Sequence, residues 1–345
     1  MRPRLLALKS AVPPFVIAQA DAAAYARSLF AQVRDIARLI PVFENTGIRQ
    51  RYSCVPIEWY LGDHGWKDRT ALYIDNAVAL LETVTQRLFA EAGLGPADID
   101  GIVVVSTTGV ATPSLDALLM ERMGLRRDIK RLPIFGLGCA GGVTGLARAA
   151  EMAQVRPGSK VLFLVVELCA LTFRKNDLSK SNIIATALFG DGAAGAILST
   201  SGEGPVLGAA HEHTWAHSLD VMGWDMAEDG LKARFATSIP GLVASDFRPL
   251  LDDFLARSGI GFSDIDAFAC HPGGAKVLDA LEDALEMPRG GLEDSRAVLR
   301  DYGNMSAVTV LFVAERINLR RKKQRTLLTA LGPGFSAAFL MLDGR

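Results

Sequence analysis

Apolar residues fall along the chain at two spacings. Runs in which nearly every position is apolar, Ile102–Val105, Val161–Val166, Ala193–Leu198, Thr326–Ala330 and Ala337–Leu342, have the length and composition of strands buried on both faces. Longer stretches with apolar positions every three or four residues predict amphipathic helices over Asp21–Arg38, Thr70–Ala92, Ser114–Met123, Thr144–Gln154, Phe247–Ser258, Lys276–Leu285 and Ser306–Asn318. The two kinds alternate, as in an α/β fold with covered sheets. The opening run Leu5–Leu8 is broken by Lys9 and Pro13-Pro14, too early for a signal-peptide core. No uncharged apolar stretch reaches the ~18–20 residues of a membrane span. The nearest, Leu327–Leu342, contains Gly332-Pro333-Gly334.

The pattern repeats. Ala92–Asp100 lies on Ser258–Asp266 without a gap, each following an amphipathic helix and leading into an apolar strand, at an offset of 166. Gly138–Thr144 lies on Gly303–Thr309 at an offset of 165, each opening a helix. Phe189–Leu198 resembles Gly332–Met341 more loosely. The repeat predicts two similar halves, 1–205 and 206–345, related by a pseudo-twofold axis, with Cys139 and Asn304 on matching helix starts.

Composition narrows the function classes. With 37 Lys+Arg against 38 Asp+Glu and a formal net charge of −1, the chain lacks the positive excess of a dedicated nucleic-acid binder. Half of it is hydrophobic, which excludes a disordered chain. The cysteines, Cys54, Cys139, Cys169 and Cys270, are too sparse for a disulfide framework and have no C-x-x-C spacing. A soluble cytoplasmic protein is expected.

Three residues stand in contexts that suit chemistry. Cys139 lies in Phe135-Gly-Leu-Gly-Cys-Ala-Gly-Gly142, a strand-like approach, a glycine turn and a helix start. The N–H groups and dipole at a helix start favour a thiolate and can receive an oxyanion, although a small buried cysteine packs there equally well. His271 ends the strand-like Ala267–Cys270 and precedes Pro272-Gly273-Gly274, which suits either a site residue or a loop histidine. Asn304 is either an N-cap or an amide donor to an oxyanion.

These contexts, with Arg49–Tyr52, Ser106–Gly109, Leu171–Arg174, Ala187–Ala194 and Gly332–Gly334, resemble the thiolase-fold condensing enzymes, most closely the type III polyketide synthases of the chalcone synthase superfamily. The likeness runs from residue 49 to 334 and implies a five-layered αβαβα fold and a homodimer. It also implies that Cys139 takes an acyl group from a CoA thioester while His271 and Asn304 stabilise the enolate of decarboxylating malonyl-CoA. Phe189 becomes an aromatic gatekeeper. Thr108, Cys169, Thr172, Ala233, Ser306 and Gly332-Pro333-Gly334 become substrate-binding residues. Acyl-CoA and malonyl-CoA are the partners, and no redox cofactor or metal is implied.

Departures bear on the substrate. Plant members carry a second gatekeeper Phe where Ala233 falls here, with Phe235 two residues on. Small residues at Cys169 and Ala233 open room for an alkyl chain, as in bacterial members that use long-chain starters and make alkylpyrones or alkylresorcinols. Arg38 and Arg51 are the candidate CoA-binding cations, and a frequent family Lys is Asn45 here. His211, His213 and His217 have a metal-like composition without a supporting cluster. Asp191 reads as a turn residue and Arg320–Arg325 as a solvated loop. The rival readings are a single-condensation ketoacyl synthase III, a Cys–His thioesterase and a non-catalytic subunit.

Overall fold

The computed structural model describes residues 1–30, 40–236, 238–320 and 324–344. Its strands in the amino-terminal half are β1 (Arg4–Ala11), β2 (Phe15–Ala18), β3 (Gln50–Ser53), β4 (Gly101–Val105), β5 (Lys130–Ile134), β6 (Lys160–Leu168) and β7 (Asp191–Ser199). The carboxy-terminal half adds β8 (Val206–Thr214), β9 (Met222–Ala227), β10 (Gly230–Phe235), β11 (Ala267–Cys270), β12 (Arg325–Gly332) and β13 (Ser336–Asp343). The helices are α1 (Gln19–Leu29), α2 (Pro41–Asn45), α3 (Trp66–Ala92), α4 (Leu115–Met123), α5 (Gly141–Val155) and α6 (Lys180–Leu188), then α7 (Ile239–Ser258), α8 (Ala275–Ala284), α9 (Glu293–Tyr302) and α10 (Thr309–Arg320).

Strand order shows the duplication. One half runs β1-β7-β6-β4-β5 and the other β8-β13-β12-β11. In both, the first two neighbouring pairs are antiparallel and the third is parallel. β5 has no counterpart in the second half among the described residues. The halves join edge to edge through a single β1–β8 pairing, Arg4 with Val206. Much of the rest of their union is made by helices.

Side-chain alternation sorts the core into layers. Ile102 and Val104 of β4, with Leu162, Leu164 and Val166 of β6, face the outer helix α3. Val103, Val105, Val161, Phe163 and Val165 face inward. Leu328 and Ala330 of β12, with Ala338, Leu340 and Leu342 of β13, face inward too, while Ala337, Phe339 and Met341 meet α7. α5 and α10 fill the space between the inward faces and contact strands of both halves. The layers are therefore αβαβα. Among the described residues, no helix is long and apolar enough to cross a membrane.

The repeat holds in atomic detail and then slips. Gly93 and Gly259 end α3 and α7 with φ +64° each, and Asp98 and Asp264 accept the N–H of Gly95 and Gly261 at 2.8 and 2.9 Å. Further on, the matching kinks are Gly138 (φ +48°) and Ser306 (φ +49°), each opening a short 3₁₀ turn before α5 or α10. The structural offset there is 168, so Cys139 corresponds to Ala307 rather than Asn304. The intervening segments differ (α4 and β5 against α8 and α9), which removes any reason for a constant offset.

Other expectations shift as well. The opening apolar run is strand β1. The helix expected from Asp21 to Arg38 is described only to Leu29. The helix expected from Phe247 begins at Ile239 and continues through Pro249. β5, β9, β10, α6 and α9 fall outside the elements that the hydropathy pattern predicts.

Candidate active site

Cys139 sits on the 3₁₀ turn that opens α5, at the layer shared by both halves. Glycine is needed around it because backbone and side chains approach closely. A Cβ on Gly138 would meet Pro333 Cδ at 2.5 Å, and one on Gly332 would meet Leu137 O at 2.6 Å. Gly332-Pro333-Gly334 thus braces the cysteine turn from β12. The Cys139 thiol donates to Ser306 Oγ at 3.7 Å.

His271 follows β11, its backbone N–H donating to Thr329 O at 2.8 Å. It is 5% exposed, and neither ring nitrogen has a hydrogen-bond partner. Asn304 lies before the turn that opens α10. Its Oδ1 accepts from Ser306 N–H at 2.8 Å and its Nδ2 donates to Gly273 O at 3.2 Å. These bonds orient the amide and leave a second N–H on Nδ2. Across the seam, Gly190 N–H donates to Asn304 O at 3.0 Å and Asn304 N–H to Leu188 O at 2.8 Å. Asn304 is thereby tied to the backbone on either side of Phe189.

The three residues, distant in sequence, line one cavity of about 500 Å³ whose walls include Ile184, Leu188, Met222, Phe247 and Leu281. Burial sets their resting states. It pushes the Cys139 thiol up to about 12, with the Ser306 bond opposing and nearby Glu167 adding to the rise. This reverses the lowered thiol expected from the helix dipole, because desolvation outweighs it. Burial also drives His271 down to about 3, so its imidazole is neutral at neutral pH. A neutral imidazole can accept a thiol proton, and an amide N–H can donate to an oxyanion but takes no proton.

A second cavity, of about 70 Å³, is lined by Phe189 with Ile17, Ala26, Cys169, Thr172 and Phe173. Phe189 packs against Trp224 and Phe235 at 5.8 and 5.7 Å between ring centroids, beside Cys169, Ala185 and Ala233. Ala233 and Phe235 alternate on β10 and so share a face, with Phe235 also lining the larger cavity.

Several expected residues lie elsewhere. Arg51 is 3% exposed and lines the small cavity near Asp191 and Tyr60, so it does not line the cavity that holds Cys139. Arg38 lies outside the described residues, as do residues 321–323 of the basic run. Thr108 Oγ1 donates to Glu167 Oε2 at 2.8 Å, and Thr172 Oγ1 donates to Cys169 O at 2.7 Å. Asp191 is a buried residue opening β7, not a turn, and accepts the N–H groups of Cys54 and Ala170 at 2.9 and 2.7 Å. His211 stacks on Phe254 and His213 meets Trp215 edge-on.

Glu167 escaped the sequence reading as a chemical group. It lies near the end of β6, fully buried, with Oε2 accepting from the N–H groups of Thr107 and Thr108 at 3.0 Å each and Oε1 unpartnered. Burial pushes it up to about 7. Its signal was a charged residue directly continuing an unbroken apolar strand.

A buried thiol on the turn that opens the inner helix of one half, in one cavity with His271 and Asn304 of the other half, on a duplicated αβαβα plan, is the arrangement of a thiolase-fold condensing enzyme. Residues 2–202 match the family described as "Chalcone and stilbene synthases, N-terminal domain" and residues 208–344 its C-terminal domain. The chain is 39% identical to a 1,3,6,8-tetrahydroxynaphthalene synthase of Streptomyces peucetius subsp. caesius, covering 97% of this chain and 92% of that one. It is 36% identical to a putative chalcone synthase of Bacillus subtilis, over 98% of each. The crystal structure of the Streptomyces coelicolor 1,3,6,8-tetrahydroxynaphthalene synthase superposes with a TM-score of 0.95 at 30% identity, over 99% of both chains. The chain belongs to the chalcone and stilbene synthase family, the type III polyketide synthases, which are acyltransferases that condense thioesters.

Proposed function

We propose that this enzyme extends a long-chain acyl starter on Cys139 with malonyl-CoA, repeatedly, and releases an alkylpyrone or alkylresorcinol. Cys139 sulfur attacks the acyl-CoA carbonyl, its proton passes to His271, and CoA leaves. Malonyl-CoA then loses CO2, and its enolate oxygen is held by N–H donors of His271 and Asn304. The enolate carbon attacks the acyl-Cys139 carbonyl, the C–S bond breaks, and the sulfur recovers its proton.

The observation that carries the long-chain reading is the second, mostly apolar cavity, lined by Phe189, Cys169 and residues of α1. A larger residue at Cys169 would fill it. The tetrahydroxynaphthalene synthase relatives support a second reading, in which malonyl-CoA alone is built into a naphthalene. Mass spectrometry of products from a ladder of acyl-CoA starters with malonyl-CoA, and from malonyl-CoA alone, separates the two. Alkylated lactones or resorcinols that shorten in Cys169→Trp are expected. A hydroxylated naphthalene as the main product, unchanged by added starters, overturns the long-chain reading.

A further inference from the structure

The small cavity lined by Phe189 holds an isolated buried cation. Arg51 lines it and is 3% exposed. Among the described residues its guanidinium has no hydrogen bond or ion pair, and Nη1 is fully buried. Its stem lies against the seam between the halves. A Cβ added to Gly190 or Gly303, the neighbours of Phe189 and Asn304 in the chain, would stand 3.1 or 3.4 Å from Arg51 Cβ. Burial lowers the group only to about 10, so it is charged at neutral pH. The neighbouring Asp191 forms no ion pair with it, and each of its oxygens accepts a backbone N–H, from Cys54 and from Ala170. The hydroxyls of the wall are engaged as well. Tyr60 bonds Ser53 Oγ at 2.8 Å, and Thr172 and Thr186 donate to Cys169 O and Asn182 O at 2.7 Å each. Tyr25 and Tyr52 meet Glu58 and Gln50 at 3.5 and 3.4 Å. Among the described residues, no carboxylate lines this cavity.

We propose that Arg51 makes this cavity a carboxylate site, and that the acyl starter of this enzyme carries a carboxylate at its far end. This rests on reading the cavity as the starter's, and it narrows the starter to the CoA monothioester of an aliphatic dicarboxylic acid. A buried guanidinium without a partner is costly, and a carboxylate accepts two of its N–H groups side by side. The apolar wall of Ile17, Ala26 and Phe173 covers the methylene chain. A plain alkyl tail fills the same wall and leaves the cation unpaired. The charge therefore discriminates between two chains of equal length, which side-chain size at Cys169 does not.

The test uses suberoyl-CoA and octanoyl-CoA, equal in length, with a carboxylate or a methyl at the far end. With malonyl-CoA as extender, wild-type kcat/KM for suberoyl-CoA is expected to exceed that for octanoyl-CoA roughly tenfold, the equivalent of one charge-assisted hydrogen bond. Arg51→Met, without the charge, should reverse the order, because the carboxylate then enters an apolar wall unpaired. Equal or lower wild-type values for suberoyl-CoA overturn the proposal. So does a preference for suberoyl-CoA that persists in Arg51→Met. The wild-type comparison needs no variant, so it decides even where Arg51→Met fails to fold. Titration calorimetry on Cys139→Ala, which cannot be acylated, separates the carboxylate site from the functional reading. Suberoyl-CoA bound roughly tenfold tighter than octanoyl-CoA, with no condensation product from the wild type, keeps the site and sinks the polyketide reading. Equal binding of the two thioesters sinks the site whatever the turnover.

Discussion

Cys139, His271 and Asn304 rest in states set by burial, and Glu167 adds a group that titrates in the working range. Its carboxyl is pushed from the ordinary 4.5 up to about 7. A raised carboxyl binds its proton more tightly folded than unfolded, so its contribution to stability is complete below about pH 4.5 and is lost as pH rises through 7. Glu167→Gln keeps an acceptor for the Thr107 and Thr108 N–H groups and removes the titration. Scanning calorimetry from pH 4.5 to 8 should show wild-type Tm falling relative to the variant as pH rises. A constant difference across that range would sink the assignment. Asp191, also pushed up to about 7 by burial, leaves a residual slope of the same sign. Cys139, His271 and Asn304 were legible because glycine turns and an Asn-Met-Ser context surround them. Glu167 was not, since nothing in one sequence says that a strand-end acid stays buried, and the thiol's rise depends on desolvation that only packing reveals.

α5 and α10 carry the union of the halves, and their spacing is fixed by small residues. A Cβ on Gly142 would lie 2.1 Å from Ala307 O, too close for any rotamer to relieve. Gly142→Ala must push the helices apart and should cost about 3 kcal/mol in urea unfolding. Gly241, exposed in α7, has no heavy atom within 4 Å of where an added Cβ would sit, and should respond oppositely. Gly241→Ala gains up to about 1 kcal/mol of helix propensity. Destabilisation of similar size by both would refute the close-approach account. Elements that are apolar at nearly every position, such as β4, β6 and β13, were readable from hydropathy. β5 (Lys130–Ile134), with two cations and a proline, was not, because it is an edge strand mostly open to solvent. α9 was hidden in turn by its charged Glu-Asp-Ser-Arg opening, although Ala297, Val298 and Leu299 are buried.

The whole chain is two copies of one plan that share their interior. Their strands touch at one backbone pair, whereas Val143, Leu146, Val310 and Val313 pack in a common cluster with strands of both halves. Unfolding one half exposes the inner face of the other, so a single cooperative transition is expected. Circular dichroism and tryptophan fluorescence should give coincident urea curves. Two separated transitions would show that the halves stand independently. The duplication was legible from Gly93 and Gly259 onward, but its register at the site was not, since segments of different structure lie between the anchor points. The backbone link across Phe189 carries a consequence for altering the product. Phe189 and Asn304 are held together by the backbone bonds of Leu188 and Gly190, so remodelling the loop at 188–190 drags the Asn304 amide with it. Trimming a side chain such as Cys169 moves no main chain. On the proposed function, tail length and turnover can therefore be tuned apart by side-chain size, and only together by loop redesign.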